Sequence, residues 1–446
     1  MHILSLLLLY GSLTLSTAFL ISNLTISIEL YLYAWPLVMT SLTRTSMFYL
    51  PDNIMLAAPV FPNPNLTAIV KPNVDTLYDA CWINHNKVND LTLTIPDTSD
   101  GLYFLFPLMD AWTNIIDSPG WRTTGTSHTS VLIRGPQSTS SPDNDTYDLI
   151  LNSTTSMMYL LGRTNVADQN DLRPTQKQLF SYDLSKNSDG LKEPPKKVLD
   201  KSNPVEEIFS MTPQEFYDTF AELMVTNKPI MPQDEEIVSK MEKEFGLIPG
   251  EPWAYADLSA SQQEELATGM TKGIDMMYSY PVTRVNGWTI PDMNTGAYST
   301  DYYLRAYIGL VLYAASLPQD TVYYESGMYS GGGKVYEMEF TPEAGGTPPT
   351  NQFWSLTMYT DLGYLVPNEN NTYSVSSQQP LVYRPDGSLH ITMSMTPPAD
   401  MSTTNWLPAP QSGDDFQLTL RVFWPGDEIL QKSWFPPPVT EVNTQT

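Results

Sequence analysis

The chain has one cysteine and four histidines among 446 residues, and each scarcity removes a class of chemistry. The lone thiol, Cys81, cannot close an internal disulfide, so a chain of this length depends on its core; the apolar setting of Cys81 marks it as a small buried residue rather than a nucleophile. His2, His85, His128 and His390 are scattered, with no pair at zinc-ligand spacing. Positive charge is scarce too: 23 Lys and Arg against 49 Asp and Glu leave a net charge of −26. Such a surface repels phosphate backbones and anionic lipid, so nucleic acid is not an expected partner, and it favours solubility. Gly-x-Ser-x-Gly is absent. Gly331-Gly-Gly-Lys334 fails the phosphate-loop pattern, because Met328 stands where Gly is needed and Val335 where Ser or Thr is; it reads as a hairpin tip.

What the chain does have begins with the uncharged apolar run MHILSLLLLYGSLTLSTA, which reads as a signal peptide over residues 1–18, with small residues Ser16 and Ala18 at the cleavage positions. No later segment is long and apolar enough to span a bilayer. Five Asn-x-Ser/Thr sequons, at Asn23, Asn65, Asn144, Asn152 and Asn370, fit passage through the secretory pathway and a glycoprotein outside the cell. Composition is that of a folded chain, 41% hydrophobic and 11% aromatic, and 37 prolines favour loops and edge strands over long helices.

Along the chain, Leu30 to Leu50 carries apolar residues at helical spacing, with Pro36 expected in the first turn. Short runs then read as strands: Thr67 to Lys71, Thr76 to Asn84, Leu91 to Ile95, Leu102 to Leu108, Ser130 to Ile133 and Tyr147 to Leu151. A polar stretch near 172–204 reads as an exposed connection. Helix signals follow: the capping box Thr212-Pro-Gln-Glu215, a helix from Asp234 to Phe245 closed by Gly246, a second box at Ser261-Gln-Gln-Glu264, and a buried helix from Thr300 to Ser316 stopped by Pro318. Strands resume from Thr321, with Pro385-Asp-Gly387 as a turn. No internal sequence repeat is evident.

Two blocks resemble a known pair of domains of unknown function, DUF1254 and DUF1214, found mostly in bacteria and in some eukaryotes and large viruses. The first block is YAWPLV (33–38), KPNVDTLYDACW (71–82), YFLFPLMDAWTNII (103–116) and WRTTG (121–125); the second starts at DYYLRAYIGL (301–310) and runs through the aromatic and proline series of 351–439. The resemblance implies a mainly β fold: two antiparallel, jelly-roll-like β-sandwich domains joined by an α-helical segment. The expected division is 24–170 for the first domain, 171–318 for linker and helices, and 319–440 for the second. Ala111-Trp112 and Ile115-Ile116 depart from the usual family pattern, so a site built there could differ in specificity. The resemblance carries no chemistry.

The candidate site combines Asn73, Asp75, Thr76 and Tyr78 with Tyr103, Asp110, Trp112, Thr113, Asn114 and Arg122. Asp75 and Asp110 are the catalytic candidates, as paired carboxylates for acid/base work with Tyr78 or Tyr103, or as oxygen ligands to a hard cation such as Ca²⁺; no cofactor is otherwise expected. The competing reading places Asn and Asp in turns and the aromatics in the core. Arg305, inside an apolar helix, needs a carboxylate, carbonyls or an anion as partner. Trp406, with Trp354, Tyr359, Tyr364, Trp424 and Trp434, could line a groove for a sugar or apolar ligand. The leading expectation is a secreted protein that binds a small molecule, glycan or protein partner. A hydrolase or lyase and a structural component of an extracellular layer or virion are the alternatives, and homo-oligomer formation stays open.

Overall fold

The computed structural model describes residues 26–47, 50–65, 71–99, 101–141, 145–186, 203–229, 234–398 and 403–442. The expected signal segment, the sequons at Asn23 and Asn144, and nearly all of the expected strand at Thr67 to Lys71 lie outside these residues. The fold is mainly β, with four sheets and no barrel. The described helices are α1 (26–46), α2 (Arg173–Leu179), α3 (Pro204–Ser210), α4 (Pro213–Met224), α5 (Glu235–Phe245), α6 (Ala260–Tyr278), α7 (Tyr302–Val311) and α8 (Asp427–Leu430).

In the first sandwich a six-stranded sheet is ordered Leu56–Ala58, Thr76–Asn84, Met157–Asn165, Leu108–Asp110, Ile115–Asp117, with Phe104–Leu105 also on Met157–Asn165. It faces a four-stranded sheet ordered Asp183–Lys186, Asp90–Ile95, Thr129–Arg134, Leu149–Asn152. Strand alternation decides which side chains meet: Cys81, Ile83, Met158 and Leu160 enter the core between the sheets. Trp82, Met109 and Tyr159 point the other way and are covered by α1 and α3 to α7, which form a third layer. Within that layer α6 lies tight against α1. A Cβ at Gly269 would fall 2.5 Å from the Ser27 carbonyl carbon, and one at Gly273 would fall 2.3 Å from Tyr31 Cδ1.

The second sandwich repeats the first. Its large sheet runs Arg284–Val285, Trp288–Thr289, Thr321–Tyr329, Phe416–Pro425, Thr350–Thr360, Ser374–Ser376, and its small sheet runs Trp406–Pro408, Leu389–Ser394, Val335–Phe340, Val439–Val442. Chain order, strand order and the parallel pair at one end of the small sheet all correspond, with Arg284–Val285 as an added edge. Register corresponds as well. Tyr78 stands opposite Arg163 and Tyr323 opposite Arg421; Leu105 stands opposite Arg163 and Ser355 opposite Arg421. The sequence trace of this duplication is short: Asp75-Thr-Leu-Tyr78 against Asp320-Thr-Val-Tyr323, with an arginine across each tyrosine. The expectation of no internal repeat is therefore corrected; sandwich cores tolerate any apolar residue of suitable size, so little else needed to stay alike.

Several local expectations change. Pro36 lies mid-helix, not in a first turn, since α1 begins at or before residue 26; full burial of Tyr33, Trp35, Leu37 and Val38 outweighs the hydrogen bond the ring removes. Pro107 splits the expected 102–108 strand into Phe104–Leu105 and Leu108–Asp110. The second capping box is Ser259 to Gln262, two residues before the expected one. α7 ends at Val311, not Ser316, and the chain leaves it through Leu312 (φ −150°) and Ala314 (φ 59°). The first sandwich continues past residue 170, because Asp183–Lys186 pairs with Asp90–Ile95 as an edge strand.

Candidate functional site

The two Asp-Thr-x-Tyr segments meet at the seam between the sandwiches, and each reaches into the other repeat. Asp75 Oδ2 accepts from Ser355 Oγ at 2.6 Å, while Asp320 Oδ1 accepts from Arg122 Nε at 2.7 Å. The backbone matches: Val166 N donates to the Asp75 carbonyl and Trp424 N to that of Asp320. Tyr103 contacts its own counterpart, Phe353, edge to face with centroids 6.3 Å apart, as residues beside an approximate two-fold axis do. Arg421 closes the seam, donating to the Lys71 carbonyl (2.8 Å) and Thr357 Oγ1 (3.2 Å) beneath the rings of Tyr323 and Tyr359. Burial raises the pKa of Asp75 and of Asp320; Ser355 and Arg421 oppose that for the first, Arg122 for the second.

The sequence-based candidates thus divide into three places. Asn73, Asp75, Thr76 and Tyr78 belong to the seam, where Asn73 Oδ1 holds the Asp75 and Thr76 amides and its Nδ2 donates to Tyr78 Oη. Tyr103 and Arg122 belong to its other half. Asp110 lies elsewhere, in a turn where its carboxylate accepts from the Trp112 and Asn114 amides and from Asn114 Nδ2 at 2.8–2.9 Å, with Thr113 at φ 69°. Since Asp75 sits level with Val166 and Asp110 with Met158, about eight residues of one strand separate them, roughly 26 Å at 3.3 Å per residue. The paired-carboxylate and shared-cation expectations for Asp75 and Asp110 are therefore corrected: carboxylate mechanisms span no more than about 10 Å.

Arg305 is fully buried and packs on the rings of Tyr33 (5.3 Å), Trp112 (5.6 Å) and Tyr302 (5.1 Å). It forms no hydrogen bond or close ion pair among the described residues, so rings rather than a salt bridge seat it, and its charge lowers the Asp110 pKa against burial. Trp406 is also buried, with Nε1 donating to Ser394, and Trp354, Tyr359 and Trp434 fill the interior, so no aromatic groove forms from these residues.

A concave feature lies where α7 crosses the outer face of Thr321–Tyr329, roofed by the 280–292 segment: a cleft of about 420 Å³. α7 has two faces. Tyr302, Arg305 and Ala306 serve the helical layer, while Leu304, Tyr307, Ile308 and Val311 line the cleft at helical spacing. Tyr307 stacks on Tyr280 with centroids 4.3 Å apart. Thr321, Tyr323 and Glu325 alternate along the strand to form the floor, so the cleft adjoins the seam. Lys71 and Glu325 pair at 2.5 Å. Ser316 and Thr321 are each 1% exposed, line the cleft and have hydroxyls with no hydrogen-bond partner among the described residues. Arg284 and Lys432, both exposed, also line it and form no ion pair among the described residues. Sequence reasoning passed over these residues; the second Asp-Thr-x-Tyr was the signal that could have led to them.

Comparisons with known proteins agree with this architecture. The crystal structure of the VPA0106 protein from Vibrio parahaemolyticus matches with a TM-score of 0.70 at 17% identity, covering 94% of this chain and 100% of that one, which shows a shared fold. A crystal structure of an uncharacterized protein from Burkholderia cenocepacia matches at TM-score 0.46 and 12% identity over 95% of both chains. No curated protein matches. Family models of unknown function match on either side of the helical layer, DUF1254 over residues 53–182 and DUF1214 over 320–427. Each falls on one copy of the repeated sandwich, and the chain is a member of the two-domain DUF1254/DUF1214 family.

Proposed function

We propose that the protein binds a small molecule in the cleft between α7 and the outer face of the second sandwich. One observation carries the reading: a mostly apolar cleft of about 420 Å³ is lined by Ser316 and Thr321, whose buried hydroxyls meet no partner among the described residues. Ligand sites are typically apolar hollows of this size with a few convergent polar groups, and a buried unpaired hydroxyl costs about 1–3 kcal/mol that a ligand oxygen would recover. Val311 lines the cleft yet is 46% exposed, so tryptophan there fills the space without touching the core. In a thermal-shift screen of small amphiphiles, some compounds are expected to raise the Tm of the natural protein by several degrees and leave Val311→Trp unmoved. A screen in which no compound distinguishes the two would remove this reading.

We also propose that the protein acts outside the cell as a glycoprotein. Asn65, Asn152 and Asn370 are exposed, as glycan acceptors must be. Expressed with its leader in a eukaryotic secretory host, it is expected in the medium with an intact mass that falls on deglycosylation. Retention inside the cell at the unmodified mass would contradict this.

A further inference from the structure

We infer that the cleft takes a medium-length carboxylic acid carrying a hydroxyl or carbonyl at its far end, an inference that rests on the cleft being a binding site. Sheet register sets the length. Thr321 and Glu325 share one face of their strand four residues apart, about 13 Å at 3.3 Å per residue. Glu325 is level with Thr289, and Thr289 with Arg284, so Arg284 marks one end of the cleft and Thr321, with Ser316, the other. An extended chain of about ten carbons, advancing about 1.25 Å for each bond of roughly 1.5 Å, covers about 11 Å, and its terminal oxygens bring it to about 13–14 Å along that direction.

Each end has its own chemistry. At the inner end the two hydroxyls both donate and accept, which suits a neutral oxygen. Arg284 at the outer end, and Lys432 elsewhere along the lining, are exposed cations with no acidic partner among the described residues, in a chain of net charge −26. The nearby acids are occupied: Glu325 is held by Lys71 and Thr419, and Asp292 accepts from the Asn294 amide of its own loop. A carboxylate is therefore drawn to Arg284 and Lys432 without displacing an existing pair. Between the ends, Leu304, Ile308, Val311 and Leu312 present hydrocarbon to a methylene chain.

Calorimetric titration of the full chain with 10-hydroxydecanoate, decanoate and 1,10-decanediol tests this. The hydroxy acid is expected to bind about 10-fold more tightly than either of the others, the worth of one good polar contact. Arg284→Gln with Lys432→Gln is expected to weaken both acids about 10-fold and leave the diol within about two-fold. Ser316→Ala with Thr321→Val should abolish the preference for the hydroxy acid over decanoate. If the three compounds bind alike, or the charge variant weakens diol and acids equally, the head-group inference fails while the cleft remains a site. If none binds the natural protein, the inference fails, and the thermal-shift screen then decides the cleft separately.

Discussion

Replacing Arg421 with alanine is expected to lower the unfolding free energy by about 3–5 kcal/mol, the usual cost of removing one partner from a buried charged network. Arg421 is 3% exposed and holds the seam from the second repeat, with the Lys71 carbonyl on one side, Thr357 on the other and two tyrosine rings across its face. Without it, Asp75 keeps only the hydroxyls of Ser355 and Ser374 against the burial that already raises its pKa. Lysine would not restore the arrangement, since an ammonium cannot reproduce the planar fork. Urea unfolding followed by tryptophan fluorescence measures the loss. A double-mutant cycle with Asp75→Asn should show coupling of about 0.5–3 kcal/mol. A loss under about 1 kcal/mol with no coupling would mean that the seam does not hold the repeats together.

The second large effect is a gain. Asp79 faces the core of the first sandwich opposite Gly162, is 1% exposed, and has an Oδ2 with no hydrogen-bond partner among the described residues; burial pushes its pKa up to about 7. A carboxyl whose pKa is higher folded than unfolded takes up its proton more readily in the native state. Its stabilising contribution is thus full below about pH 4 and is lost as pH rises through about 7. Asp110, pushed up to about 6 mainly by burial, acts in the same direction over a narrower window. His85 is opposite: burial lowers it to about 4, so its contribution is full above its ordinary value near 6.5 and is lost as pH falls toward 4. Asp79→Asn is therefore expected to stabilise the protein at pH 8 by on the order of 2–4 kcal/mol, with the gain vanishing by pH 4. Unfolding curves at several pH values would show it; a gain independent of pH would mean that Asp79 is not the titrating group.

Much of the architecture was legible in the sequence where a single local rule decides it. Thr76–Asn84 was read to the residue because alternation and bounding turns coincide, and α5 because Gly246 at φ 66° ends it as only a glycine readily does. Where tertiary packing decides, local rules mislead: Pro36 is carried inside α1 by burial, and α7 unwinds early where Arg163 Nη2 reaches the Ala314 carbonyl. The site was less legible. Asp75 and Asp110 attract notice as carboxylates, yet which end of a strand each occupies depends on pairing with a segment some ninety residues away in one case and under fifty in the other. Ser316, Thr321 and Arg284 belong to no motif. They converge because the repeat places a second Asp-Thr-x-Tyr strand under α7, and three matching residues over two hundred apart are easily passed over.

The most direct test of the cleft is site mapping with a photoreactive ligand. A ten-carbon acid bearing a diazirine, irradiated with the natural protein and traced by peptide mass spectrometry, is expected to mark peptides from 280–292, 302–312 and 316–326, and to leave them unmarked in Val311→Trp. Labelling elsewhere, or labelling of these peptides that Val311→Trp does not reduce, would contradict the account.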